Sequence, residues 1–195
     1  MSKRHVVITG TGRAGTTVLV KLLTLVGIDT GFSPHTWHQY FDETGRAGLE
    51  TAPGMEAPYV VKGPVYCDVL DRWIAETGVT IDHVIVPTRD LYQAAESRRD
   101  VFRSTQNPTA PGGLWDTSKP ESQEAVLEDK LRNLFGAIKK WGLPRTLIEF
   151  PRFAHEPDYL YQQLRSPFPY LPYGPFRDAF AKIVDTSLIH DYRKR

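Results

Sequence analysis

The residues from Gly10 to Thr17 read GTGRAGTT, between the apolar run His5 to Thr9 and a largely apolar stretch that continues to Val26. Glycines at both ends of such a step let the backbone curl tightly and aim successive N–H groups at one anion. A helix starting directly afterwards adds its positive N-terminal end. The chemistry these residue types suit is phosphate binding, and the spacing matches the pattern G-x-x-x-x-G-K-[ST] except that Thr16 stands where the lysine belongs. In a P-loop kinase that lysine reaches the β and γ phosphates, and the next hydroxyl holds magnesium. Here Thr17 keeps the hydroxyl, Arg13 offers cationic charge inside the loop, and Val86 is followed by Pro87-Thr88 rather than an acidic metal ligand. Magnesium-dependent triphosphate chemistry is therefore poorly supplied, and no metal site is expected.

Two further residues that suit an anion stand where other strands end, Lys62 before Gly63-Pro64 and Arg89 after the apolar run His83 to Val86, and Glu149-Phe150 marks another strand end. The loop Gly10-Thr-Gly-Arg13-Ala14-Gly15-Thr16-Thr17-Val18-Leu19 resembles the sulfotransferase family, whose loop binds the 5′-phosphosulfate of 3′-phosphoadenosine 5′-phosphosulfate (PAPS). Arg89, followed eight residues later by Ser97, is similar to the family's arginine and serine pair that grips the 3′-phosphate, with Leu91 where the family has proline. The resemblance implies that Gly12, Arg13, Ala14, Gly15, Thr16 and Thr17 bind the phosphosulfate, that Arg89 and Ser97 bind the 3′-phosphate, and that Lys62 approaches the sulfonate with Arg13. It implies in-line transfer of a sulfuryl group to a hydroxyl or amine of a small-molecule or glycan acceptor. A group carrying one net negative charge can be transferred by hydrogen-bond donors and side-chain cations without a metal.

A base must take the acceptor's proton. The family's histidine position is Pro64 here and its glutamate position is Val61, which leaves His35, His38, Asp42, Glu43 and Glu56. His35 and His38 are favoured because an unperturbed imidazole titrates near neutral pH. Two other functions fit the loop. One is a divergent P-loop small-molecule kinase with a lid over 103–121 and Arg98 or Arg99 on phosphates; the other is a nucleotide-binding protein without catalysis.

The elements that must position these groups follow from periodicity. Strands are expected at 5–9, 59–62, 83–86 and 146–150, and helices at 16–26, 69–77, 91–102, 120–141, 158–164 and 176–183. Residues 28–58 read as a long irregular segment, and 103–121, rich in Pro, Gly, Ser and Thr, as a loop or lid. Asp90 with Gln93 marks a helix start. Alternating strands and helices with a glycine turn after the first strand specify an α/β fold: one three-layer α/β/α P-loop domain over 1–195 around a mostly parallel sheet. Ligands in such sheets sit beyond the carboxyl ends of the strands, so the loop, Lys62, Arg89 and Phe150 should converge.

With 195 residues, a net charge of +1, one cysteine (Cys67) and no apolar run of bilayer length, the chain is expected to be a soluble cytoplasmic protein without nucleic-acid or membrane partners. The arginine pair Arg98-Arg99 and the terminal Arg193-Lys194-Arg195 read as solvated charge.

Overall fold

A computed structural model describes residues 3–194 except Met55 and Pro108. Its sheet has four parallel strands in the order β4-β1-β5-β6, where β1 is Arg4–Ile8, β4 Val60–Lys62, β5 Thr80–Thr88 and β6 Arg145–Glu149. The period-two alternation of a strand sends its side chains to opposite faces. Val6, Ile8, Val60, Ile85 and Ile148 join Leu19, Leu22, Leu23, Phe153 and Phe176 in one core. Val7, Val61, Val84 and Val86 join Tyr66, Leu70, Trp73, Leu134 and Ile138 in the other. The first core is closed by α1 (Thr16–Leu25), α5 (Arg152–His155), α6 (Pro157–Leu164) and α7 (Tyr173–Ile183), the second by α2 (Tyr66–Thr77) and α4 (Gln123–Trp141). Helix α3 (Leu91–Thr105) packs on α4 through Ala94, Ala95 and Leu127. The result is the three-layer α/β/α arrangement expected. Among the described residues no helix is long and apolar enough to cross a membrane.

Three differences from the sequence reading have local causes. Strand β5 runs past Pro87, which pattern reading took as its end. The Ile85 carbonyl accepts from Thr9 on the β1 side, so Pro87, two residues on, turns its missing N–H toward the same side, where β1 has already ended. The segment 28–58 holds a 3₁₀ turn, Trp37–Tyr40, and a small antiparallel pair, β2 (Phe41–Asp42) with β3 (Ala47–Gly48). A short extra helix, α5, follows β6. The loop after α3 has little regular structure, yet side chains pin it: Gln123 receives the Trp115 N–H at 2.7 Å, and Lys130 pairs with both Asp68 and Asp116. Asp90 caps α3 as expected, accepting from Gln93 N at 3.1 Å.

Two buried histidines give the fold a pH dependence. Nδ1–H of His5 donates to the Pro58 carbonyl at 2.7 Å with the ring against Trp73, while Nε2 of His83 meets Thr146 Oγ1 at 2.8 Å across β5 and β6. Burial lowers the pKa of both rings below the ordinary histidine value. As pH falls the unfolded chain therefore takes up protons before the folded one. The stabilisation is complete above the unfolded value of about 6.5 and is lost as pH falls from there toward the folded values. Melting temperature should drop more steeply between about pH 7 and pH 5 in the wild type than in a His5→Asn, His83→Gln variant, which retains both hydrogen bonds without titrating. Parallel melting curves for the two proteins would refute this.

Candidate functional site

All four strands point their carboxyl ends at the same edge, where Ile8 stands in register with Lys62 and Ile85, and Thr88 with Glu149. Beyond that edge lies a crevice of about 540 Å³ whose lining includes Gly12, Arg13, Gly15, Thr16, Thr17, Lys62, Arg89, Ser97 and Phe150. The expected convergence is thus present in the fold. Ala14 is fully buried and contributes no side chain to the lining.

The loop takes a sharply curled path because Gly12, Arg13 and Gly15 adopt left-handed backbone angles, φ 67°, 56° and 76°. Among the described residues, none of the backbone N–H groups from Gly10 to Thr17 donates to a backbone or side-chain acceptor. Native backbone donors are nearly always paired, so the free ones of Gly12, Arg13, Gly15, Thr16 and Thr17, which line the crevice, make an anion nest in geometry.

Cations surround the nest. Arg13 donates from Nε to Ser97 Oγ at 3.0 Å and from Nη1 to the Gly45 carbonyl. Arg89 donates to the Arg13 carbonyl at 2.9 Å and to the His190 carbonyl at 2.7 Å, with its guanidinium over Phe150 and Tyr192. Among the described residues neither guanidinium forms an ion pair with a carboxylate, and burial lowers the pKa of both. Lys62 is 2 % exposed; its ammonium donates to Glu50 Oε1 at 2.6 Å, the Gly48 carbonyl at 2.7 Å and Thr17 Oγ1 at 3.2 Å. Burial lowers the lysine's pKa and the Glu50 carboxylate opposes that fall. The β2–β3 pair matters here, because it delivers Gly48 and Glu50 to the ammonium.

Of the residues singled out from sequence, Gly12, Arg13, Gly15, Thr16, Thr17, Lys62, Arg89 and Ser97 share the crevice. His35 and His38 do not: both are exposed and outside its lining. The cause is Trp37, whose apolar ring turns inward to the α1 core and beneath Lys21, leaving its neighbours facing out. Asp42 bonds Gly45 N, Glu56 is exposed elsewhere, and Glu43 lines the crevice.

Sequence reading missed Glu50 and took Arg98 for solvated charge, whereas Arg98 is 5 % exposed. The one hint in the sequence is that Arg98 lies one residue past Ser97, on the helix that begins at Arg89-Asp90. Arg99 is not solvated either: its side chain is 11 % exposed and paired with Glu96 and Glu124. The C-terminal segment was also missed: His190 and Tyr192 wall the crevice, and Arg193 pairs with Asp90. Arg195 lies outside the described residues. Among the described residues no group of three or more His, Cys, Asp or Glu side chains is placed to hold a metal ion.

No protein-family model matches the chain, and no curated protein matches it in sequence. Among solved structures, the fold is similar to that of a sulfotransferase from Mycobacterium tuberculosis, with a TM-score of 0.56 and 14 % identity over 93 % of this chain and 71 % of that one. At that identity the likeness is one of fold.

Proposed function

We propose that the protein is a sulfotransferase that uses PAPS as co-substrate. The observation that carries the reading is the run of unpaired N–H groups from Gly10 to Thr17, ringed by Arg13, Arg89 and Lys62 and lacking the usual loop lysine. The fold likeness to a sulfotransferase and the presence of Arg89 and Ser97 in the same crevice support it. A site of two cationic ends suits a nucleotide with phosphates at both 5′ and 3′ positions.

On this reading the loop amides with Thr16 and Thr17 hold the 5′-phosphate, and Arg89 and Ser97 hold the 3′-phosphate once Arg13 swings from Ser97 toward the sulfonate. Lys62 offsets charge on the sulfonate and bridging oxygen. Glu50, bonded to Lys62 and open to the crevice, takes the base role for which His35 and His38 are badly placed. The acceptor oxygen bonds to sulfur as the bond from sulfur to the 5′-phosphate oxygen breaks. The acceptor's proton passes to Glu50, and adenosine 3′,5′-bisphosphate leaves with the electron pair. Val18, Phe41 and Leu188 form the wall left for a small hydroxylated acceptor.

Melting in the presence of adenosine 3′,5′-bisphosphate, ATP with magnesium, and ATP alone tests the reading. A ligand at a hundredfold its dissociation constant adds about 2.7 kcal/mol. For a chain of this length that raises the midpoint by about 5–10 °C. The bisphosphate should produce that rise and ATP with magnesium much less. The reverse order, with chelator-sensitive ADP formation, would replace this reading with a kinase; bisphosphate binding with no transfer of labelled sulfate in a cell extract would leave a nucleotide-binding protein.

A further inference from the structure

A P-loop without its lysine lacks the cation that usually neutralises a bound phosphate, since Thr16 stands in its place. Against this loop, midway along α3 and on the crevice lining, lies Arg98. It donates from Nη2 to the Thr11 carbonyl at 2.6 Å and from Nη1 to the Gly113 carbonyl at 2.7 Å, and its guanidinium lies over the Trp115 ring at 5.2 Å. Its Nε is buried with no partner, and among the described residues no carboxylate is ion-paired with the group. The neighbouring charge is another cation, Arg13, and burial together with that charge pushes the Arg98 guanidinium down to about 9. A buried charge with no counter-ion is costly, and a fold that keeps one has left it short of an anion.

The bond to Thr11 does something definite. A trans peptide is planar, with its C=O and the following N–H pointing in opposite directions. A guanidinium that holds the Thr11 oxygen therefore aims the Gly12 N–H away from Arg98. Arg89 acts alike two peptides on, since holding the Arg13 oxygen turns the Ala14 N–H the other way. The seat is tight: a Cβ at residue 12 would stand 2.6 Å from Arg98 Nη2.

We infer that Arg98 is a positioning residue that stands in for the absent loop lysine, fixing the Thr11–Gly12 peptide with its N–H toward the anion and placing a positive charge against the loop. In a dry setting such a preorganised charge acts strongly on a bound anion. This rests on the loop's binding a phosphate, which the reading above requires, and is independent of whether sulfuryl transfer follows.

Wild type, Arg98→Lys and Arg98→Met are compared for binding adenosine 3′,5′-bisphosphate by calorimetry and uncharged adenosine by ligand-observed NMR, with melting curves alongside. Arg98→Met should weaken the bisphosphate by about a hundredfold while changing adenosine by only a few-fold, and Arg98→Lys should recover about tenfold of that loss. Equal losses for both ligands, or no loss for either in a folded Arg98→Met protein, would overturn the inference. Should Arg98→Met not fold, the wild-type Gly12 amide decides: its proton resonance should move downfield on bisphosphate addition, and an unmoved resonance in a saturated protein counts against the inference. If the wild type prefers ATP with magnesium, the sulfotransferase reading falls and the same comparison with ATP decides Arg98. If it binds no phosphate, both fall.

Discussion

On the sulfotransferase reading proposed above, exchanging Glu50 for glutamine should slow sulfuryl transfer by about 10²- to 10⁴-fold, the range of general-base removal, while leaving bisphosphate affinity within a few-fold of wild type. The substitution separates two roles that the geometry joins. Glu50 receives a hydrogen bond from the Lys62 ammonium at 2.6 Å, and the glutamine carbonyl oxygen can accept the same bond. What glutamine cannot do is take a proton. If Glu50 served only to hold Lys62 in place, Glu50→Gln would keep most of the rate and Glu50→Ala would lose it. The base assignment requires both variants to fail, with the loss in kcat rather than KM for the nucleotide. Its side chain is 45 % exposed, so the carboxylate meets the crevice while its lysine partner stays buried. The measurement is single-turnover transfer of labelled sulfate at saturating nucleotide, and a Glu50→Gln protein with near wild-type kcat would end the assignment.

Glu50 also shows where sequence reasoning stops. The strands, the helices of both layers and the meeting of loop, Lys62 and Arg89 at one edge were legible, because each rests on local periodicity and on the rule that parallel strands share a carboxyl end. Glu50 depends on a two-residue strand pair, β2 with β3, that carries no hydrophobic alternation and is tied at Gly48 to Thr17 of α1 and to the Lys62 ammonium. Nothing local distinguishes it from Glu43 or Glu56. His35 and His38 were attractive by chemistry alone, but the direction in which a short turn points its side chains was set by Trp37 seeking the core. Arg98 beside Arg99 looked like a solvated pair, and consecutive helix positions diverge by about 100°, so one reached Thr11 while the other reached Glu124. Charge identity was readable from sequence, whereas charge orientation needed the packed helix.

Gly15→Ala should destabilise the fold strongly. Residue 15 carries φ 76° as the N-cap of α1, a left-handed conformation that costs a non-glycine residue about 1–2 kcal/mol. The added Cβ would also stand 2.4 Å from Phe153 Cζ and 3.3 Å from Phe150 Cδ2. Phe153 is 1 % exposed and part of the α1-side core, so it has little room to yield, and overpacking of this kind costs about 1–3 kcal/mol more. Together these place the loss at about 2–5 kcal/mol, a large fraction of ordinary domain stability. The disturbance also travels. Phe153 meets Phe150 edge-on at 5.6 Å, and Arg89 lies over Phe150 at 4.9 Å, so a displaced Phe153 moves the guanidinium expected to hold the 3′-phosphate. Combining Gly15→Ala with Phe153→Leu should therefore cost at least about 1 kcal/mol less than the sum of the two single changes, because leucine vacates the space the methyl needs while the strained φ remains. Strict additivity in urea unfolding would mean that the backbone angle alone makes residue 15 a glycine. A coupling of the expected sign would mean that the loop is also held from behind by the aromatic pair following β6, and that the glycine loop and Arg89 are set by one packed unit.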